Sequence, residues 1–250
     1  MNRLQEIIAR KRTETAKMRM EEFCAGAEKR ADFREFHPAI RRGRGRVRVI
    51  AETKRASPSA GVISVNYDPV AIAQRYQTNG ADAISVLTEQ NYFGGRTEQL
   101  TAVRAGVRLP ILRKDFMVDE VQILESVAIG ADAILLIVAA LAQEQVRLLH
   151  RCATAHQLSV LVEVHTAEEI AIAVDAGADI IGINNRNLAT LEIDLATTER
   201  LLPKIPKGIT IVSESGIRTA ADLKRMSSLP VDALLVGEGL IRGEISIGDL

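Results

Sequence analysis

Two lysines and several carboxylates, each at the end of an apolar run, are the residues of this sequence best suited to chemistry. Glu52 and Lys54 follow the run Val47 to Ala51, Glu89 follows Ala83 to Val86, and Lys114 and Asp115 follow Pro110 to Leu112. Glu163 stands within Ser159 to Val164, Asn184 and Asn185 follow the run ending at Ile183, and Glu214 and Ser215 follow Ile209 to Val212. An ammonium and a carboxylate held out of water can exchange protons with a substrate, because desolvation and neighbouring charge bring their pKa values toward neutrality. Either lysine can instead hold a carboxylate or phosphate as a fixed cation. A structural ion pair uses the same residue types, so placement has to decide between them.

A second signal lies in the last two turns. Ser215-Gly216 and Gly237-Glu238-Gly239 follow apolar runs, and glycine there lets a phosphate approach backbone N–H groups at the start of a short helix. Ser57-Pro58-Ser59 offers another hydroxyl, or merely a helix-starting turn. The histidines, His37, His150, His156 and His165, form no HxxxH or cysteine–histidine set, and His165 reads as a rim or packing residue. Nucleophile elbow, P-loop and GxGxxG are all absent. The economical chemistry is acid–base catalysis on a small phosphorylated substrate without metal or cofactor.

The elements that must position these residues announce themselves by repetition. GADAISV from Gly80, GADAILLI from Gly130, GADIIGI from Gly177 and PVDALLV from Pro230 each follow a helix-like stretch, so glycine or proline ends a helix and an apolar strand begins. With the runs at 47–51, 110–112, 159–164 and 209–212, this predicts eight strands, apolar throughout as a parallel sheet covered by helices requires. Helical spacing is read over 69–78, 98–105, 119–128, 143–155, 167–176, 194–202 and 220–227, with Asp119 and Thr166 as N-caps. Regular βα units without a change of composition favour a closed (β/α)₈ TIM barrel over an open doubly wound sheet, so the charged strand ends converge on one mouth.

The expected layout is an N-terminal helical extension and connector over 1–46 and the barrel over 47–250, one structural domain overall. Leu4, Ile7 and Ile8 share an apolar face in the extension. The basic segment 41–46 reads first as a solvated connector and second as a substrate attractant. RNA binding is disfavoured because no aromatic residues are interleaved with it. With 32 basic and 32 acidic residues in 250, no bulk field favours nucleic acid or an anionic membrane. No apolar run can span a bilayer and no cleavable leader opens the chain, so a cytoplasmic location is expected. Cys24 and Cys152 read as reduced, buried packing residues.

Five segments in order resemble the indole-3-glycerol phosphate synthase family: 52–59 (ETKRASPS), 112–116 (LRKDF), 161–165 (LVEVH), 182–188 (GINNRNL) and 213–217 (SESGI). The resemblance covers nearly the whole chain. It implies closure of 1-(2-carboxyphenylamino)-1-deoxyribulose 5-phosphate to indole-3-glycerol phosphate, with loss of carbon dioxide and water and no cofactor. By that likeness Lys114 is the general acid at the carbonyl, Glu163 assists dehydration, and Lys54 binds the substrate carboxylate or shares acid–base duty. Glu52 orients the reacting groups and Asn184 positions the substrate. Ser57, Ser215, Gly216, Gly237 and Glu238 match phosphate-binding segments, and Phe93, Phe116, Leu135 and Leu188 hold the aromatic ring. The extension is expected to cover the mouth. Arg96 and Gly239 depart from the pattern, which bears on loop stiffness or affinity only. The reading is of a monofunctional enzyme, a monomer with at most weak self-association or pathway-enzyme contacts. The rivals are an isomerase of similar build acting on a phosphoribosyl anthranilate, and a barrel retained for binding alone.

Overall fold

The computed structural model describes residues 3–43, 45–57, 61–63 and 66–249, with Ser57 described by its backbone only. Eight parallel strands close into a barrel in chain order: β1 (Arg48–Thr53), β2 (Ala83–Leu87), β3 (Ile111–Lys114), β4 (Ala133–Ile137), β5 (Ser159–Val164), β6 (Ile180–Asn184), β7 (Thr210–Glu214) and β8 (Ala233–Val236), with β8 pairing back onto β1. Three helices precede them: α1 (Arg3–Thr15), α2 (Glu21–Lys29) and α3 (Phe36–Ile40). The barrel helices are α4 (Pro69–Thr78), α5 (Thr97–Gly106), α6 (Glu120–Ala128), α7 (Gln143–Ala155), α8 (Ala167–Asp175), α9 (Ala196–Leu201), α10 (Ala220–Ser227) and α11 (Glu238–Ile241). This is the TIM barrel expected from the repeats. Among the described residues no helix is long and apolar enough to cross a membrane.

Side chains alternate along each strand, and here both sides are apolar for different reasons. Val49, Ile84, Ile111, Ile134, Val160, Ile181 and Leu234 face out and pack against the helices. Ile50, Leu112, Leu161 and Val212 from the odd strands face in, with Ala83, Ala133, Ile180 and Ala233 from the even strands. That interior is a layered core, as small barrels require. It is plugged from the amino-terminal end of the strands by Phe36 and Ile40 of α3, both fully buried.

The aspartates of the repeated phrase rivet this lower end. The Asp82 carboxylate accepts the backbone N–H of Val49, Asp132 that of Ile111 and Asp232 that of Ile211, each reaching across to the preceding strand. Asp179 instead meets His37 of α3 at 3.2 Å. The glycines before them, Gly80, Gly130 and Gly177, have φ of 91°, 96° and 88°, a left-handed helix end that a side chain would strain.

Two expectations are overturned here. The basic connector is no substrate attractant: Arg42 donates its backbone N–H to Asp232 and its guanidinium to the Leu229 and Val231 carbonyls, while Arg46 pairs with Asp82 at 2.9 Å, all at the pole opposite the mouth. Arg44 lies outside the described residues. Cys24 and Cys152 are unpaired as expected, yet only half-buried, because each sits on a helix flank rather than in the core stripe.

Asp132 carries the densest of these rivets. It is buried, it pairs with Arg30 at 2.6 Å and Arg104 at 2.5 Å, and it also accepts the Arg34 backbone N–H. Removing one partner of a buried pair leaves the others uncompensated, so Asp132→Asn is expected to lower the unfolding free energy by about 3 kcal/mol or more. Urea denaturation measures the loss, while turnover per folded molecule should stay within about twofold of wild type because the mouth is untouched.

Candidate active site

Strands β1, β3 and β7 run two residues farther than the apolar runs suggest and β6 one, and this extension builds the site. Glu52, Lys114, Asn184 and Glu214 are the last inward residues of β1, β3, β6 and β7 rather than loop residues, and Glu163 occupies the same level on β5. Each odd-strand member lies two residues beyond an inward core residue: Ile50 then Glu52, Leu112 then Lys114, Leu161 then Glu163, Val212 then Glu214. Period-two alternation thus stacks a titratable layer directly on an apolar one.

The layer is tightly paired. Lys114 Nζ lies 2.9 Å from Glu163 Oε2 and 2.8 Å from Glu214 Oε2, and Lys54 Nζ lies 2.8 Å from Glu52 Oε1. Glycines on the even strands make the space. A Cβ on Gly237 would stand 2.7 Å from Glu52 Oε1 and 3.1 Å from Lys54 Nζ, and one on Gly182 would collide with Glu214 and Leu161.

Burial penalises every charge here, and the outcome depends on how each is compensated. Lys114 is desolvated, but Glu163, Glu214 and Glu52 together outweigh that and hold it firmly protonated. For Glu163, burial is outweighed by Lys114 and then by His165, with Asn184 adding support, so its carboxyl stays well below the usual range. Glu214 is pushed up to about 7, because burial and the Glu163 charge exceed the help from Lys114. Its Oε1 is buried without a hydrogen-bond partner.

One wall of the cleft is apolar. Phe93 and Phe116 lie with ring centroids 6.3 Å apart and planes tilted 41°, and Leu135 and Leu188 continue the surface. Leu4 and Ile7 of α1 join it from above, so the extension does sit over the mouth. The cleft encloses about 900 Å³ counting its solvent-open part. Glu89, expected among the mouth carboxylates, is instead a loop organiser: it accepts the backbone N–H groups of Asn91, Tyr92 and Phe93 and so sets the Phe93 ring.

The opposite side carries a strained turn. Ser215 and Gly216 both adopt left-handed backbone, φ 65° and 90°, and strain at a non-glycine residue points to a functional constraint. Asn185 braces that turn rather than facing the cleft, donating to Ser213 Oγ and to the Glu214 and Ser215 carbonyls. Gly237 precedes α11, whose first N–H groups lack intrahelical acceptors. The Glu238 carboxylate is drawn off to Arg242 at 3.1 Å. A Cβ on Gly239 would press on the Ile217 carbonyl at 3.0 Å, which accounts for glycine at this departure from the family pattern. Pro58 and Ser59 lie outside the described residues, as does the Ser57 side chain.

Sequence reasoning left four lining residues without a site role. Glu214 stood in the strand-end series, but its sharing of Lys114 with Glu163 depends on the barrel's closure. Arg186, half-buried, lines the cleft beside Asn184. Leu4 and Ile7 could be found only as an apolar stripe. A second cleft beneath α1 is lined by Lys11, Arg113, Asp115 and Glu125, whose charges satisfy one another: Lys11–Asp115 at 2.9 Å and Arg113–Glu125 at 2.6 Å.

A TIM barrel whose mouth sets buried ammonium–carboxylate pairs between an apolar wall and a strained glycine turn has the architecture of an acid–base enzyme for a small substrate. The chain belongs to the indole-3-glycerol phosphate synthase family, whose model matches residues 4–246. It is 48% identical over 244 residues to the indole-3-glycerol phosphate synthase of Chlorobium luteolum, covering 96% of this chain and 93% of that one. The corresponding protein of Chloroherpeton thalassium is 44% identical over 250 residues, 98% of this chain and 96% of that one. Among solved structures, KGPDC from Streptococcus mutans superposes with a TM-score of 0.59 at 15% identity, covering 82% of this chain and 95% of that one, a likeness of fold alone.

Gly182→Ala tests the packing of the layer. The methyl group must displace Glu214 from Lys114, and misplacement by about 1 Å costs on the order of 10²-fold in rate. Steady-state assays should show that loss chiefly in kcat, and a kcat equal to wild type would mean that the Glu214 position is immaterial.

Proposed function

We propose that Lys114 and Glu163 carry the proton transfers of the indole-3-glycerol phosphate synthase reaction, a carboxy-lyase step of tryptophan biosynthesis that family membership assigns to this chain. The observation that carries this reading is the buried Lys114–Glu163–Glu214 triad at the carboxyl ends of three strands, with Lys114 lining both of the two adjoining clefts that Glu163 and Glu214 face.

The substrate is 1-(2-carboxyphenylamino)-1-deoxyribulose 5-phosphate. Its ring lies against Phe93, Phe116, Leu135 and Leu188, and its phosphate takes the N–H groups of the Ser215-Gly216 and Gly237-Glu238 turns, with Ser57 as a further donor. The ring carbon bearing the carboxylate attacks the ribulose carbonyl carbon, and Lys114 delivers a proton to the carbonyl oxygen as the new C–C bond forms. Carbon dioxide then leaves, returning its bonding electron pair to the ring. The hydroxyl then departs as water, taking the proton that Glu163 removes from the adjacent carbon as the indole double bond forms, and Lys114 regains its proton from solvent. Lys54 holds the substrate carboxylate, Glu52 orients Lys54, and Asn184 positions the hydroxyl-bearing chain. Lys114 is held in the protonated form from which a general acid must start. A neutral Glu214 slackens that hold by removing one of its two anions.

Unpaired cysteines and the want of a membrane-spanning helix among the described residues support a cytoplasmic setting.

Purified protein should generate indole fluorescence from the anilino-deoxyribulose phosphate. Lys114→Ala and Glu163→Gln are expected to lower kcat at saturating substrate by about 10²–10⁴-fold. Near-normal turnover in both would remove their assigned roles. Ser215→Ala should act mainly on KM.

The pH dependence follows from Glu214. Its carboxyl, raised to about 7, is neutral below that pH and ionised above it. Ionisation adds a negative charge where an anionic substrate must bind, so KM should rise as pH passes upward through 7. Glu214→Gln should remove that rise, leaving only the slope due to ionisation of the substrate itself, and an unchanged profile would exclude Glu214 as its source.

A further inference from the structure

Lys114 serves two buried carboxylates with one ammonium, which by itself does not decide which of them keeps its charge. Glu163 and Glu214 lie at nearly equal distances from Nζ, 2.9 and 2.8 Å. The asymmetry comes from behind Glu163. His165, two residues on along the same strand end, places Nε2 at 3.4 Å from Glu163 Oε1, the oxygen that Lys114 does not touch. The separation is within ion-pair reach, although Nε2 has no well-formed hydrogen bond. At the other end of the ring, Nδ1 lies 3.1 Å from Glu169 Oε2, and that oxygen also accepts the His165 backbone N–H at 2.6 Å. Glu169 is itself fixed by the start of α8, where Thr166 caps its N–H. A neutral imidazole donating from Nδ1 would turn the Nε2 lone pair toward Glu163. A protonated ring faces a carboxylate at both nitrogens.

We infer that His165, as an imidazolium anchored on Glu169, is the positioning residue that keeps Glu163 ionised as the base and leaves the surplus proton of the pair on Glu214. The inference rests on the acid–base roles proposed above and assigns their division. The ionisable groups facing this unit are Glu169 on α8, Glu163 on β5 and, across the barrel, Lys114 on β3 and Glu214 on β7, with the Glu52–Lys54 pair of β1 beyond. Burial opposes charge on the ring, but Glu163 and then Glu169 outweigh it and raise His165 to about 10. Two carboxyl groups sharing one cation are thereby driven apart, the usual way in which a site obtains an acid and a base from the same chemistry.

The test combines a titration with a rate profile. Ring ¹⁵N–¹H NMR of the wild-type enzyme should show His165 protonated well above neutrality, and titration near its ordinary value of about 6.5 would overturn the inference. That measurement needs no turnover, so it stands even if the assigned reaction fails. Asparagine keeps a polar side chain of similar reach but carries no charge. In His165→Asn, Glu163 competes with Glu214 for the proton, so kcat should fall on the acid side of neutrality where the wild-type kcat is flat, its midpoint rising by about one pH unit or more. Glu169→Gln, which leaves His165 in place without its anchor, should move the limb in the same direction by less, and it serves if the first variant does not fold. Unchanged acid limbs in both variants would reduce His165 to a packing residue while leaving Lys114 and Glu163 as acid and base.

Discussion

One carboxylate more than the cations can match, in a buried layer, is the constraint on which the mouth of this barrel depends. Transferring an ion from water to a protein interior costs several kcal/mol even after relaxation, so buried charges persist only as pairs. Glu52 has Lys54, Glu163 has Lys114, and His165 has Glu169. Glu214 has a share of Lys114 and an oxygen with no partner. Electroneutrality is reached when Glu214 holds a proton. A carboxyl group pushed to about 7 is therefore what the arrangement demands of its unmatched member. The same unmatched member lets the charge on Lys114 be balanced by one anion or two as conditions change.

That layer exists because two periodicities coincide. Side chains alternate inward every second residue, and closure brings alternate strands to a common height. Four odd strands then offer four inward positions directly above an apolar layer of isoleucine, leucines and valine. Long charged side chains fit there only if the neighbouring inward positions are small, which is why Gly182 and Gly237 stand beside Glu214 and Glu52. The lower pole obeys a different logic. There the aspartates that begin even strands accept N–H groups from the strands before them, and the extension supplies arginines and two buried apolar side chains to finish the closure. Stability is concentrated at one end and chemistry at the other.

The barrel was legible because its units repeat: glycine or proline, aspartate and an apolar run recur at each even strand, and each signal is local. Strand ends were harder to place, since a charge ends an apolar run but not a hydrogen-bonded ladder. Lys114 and Glu214 lie inside strands because backbone pairing is indifferent to side-chain polarity. What one residue touches across the barrel is not local at all. Glu163 and Glu214 stand on strands with one other strand between them, and only closure brings both to Lys114. The arginine-rich connector was ambiguous for the same reason: its charges suit solvent and anions equally well, and the aspartates that pair with Arg42 and Arg46 come from the starts of strands farther along the chain. The aromatic wall and the substrate's identity followed from the family resemblance, since paired charges at a barrel mouth are common to many reactions.

Asp115 shows how binding and chemistry are joined through one carboxylate. It is buried beside Lys114, and it accepts the Phe116 backbone N–H and the Thr88 hydroxyl while pairing with Arg113 and with Lys11 of α1. Arg113 and Lys11 hold its carboxyl below the ordinary range despite burial. The ring wall, the end of β3 and the helix roofing the mouth are thus referred to the same two oxygens. A roof that loosened would draw on the group that sets the backbone on either side of Lys114. It would also admit water to a layer whose attractions weaken as the local dielectric rises. The covering of the cleft by Leu4 and Ile7 and the strength of the Lys114 pairs are therefore one property of the fold, reached from opposite ends of the Lys11–Asp115 contact.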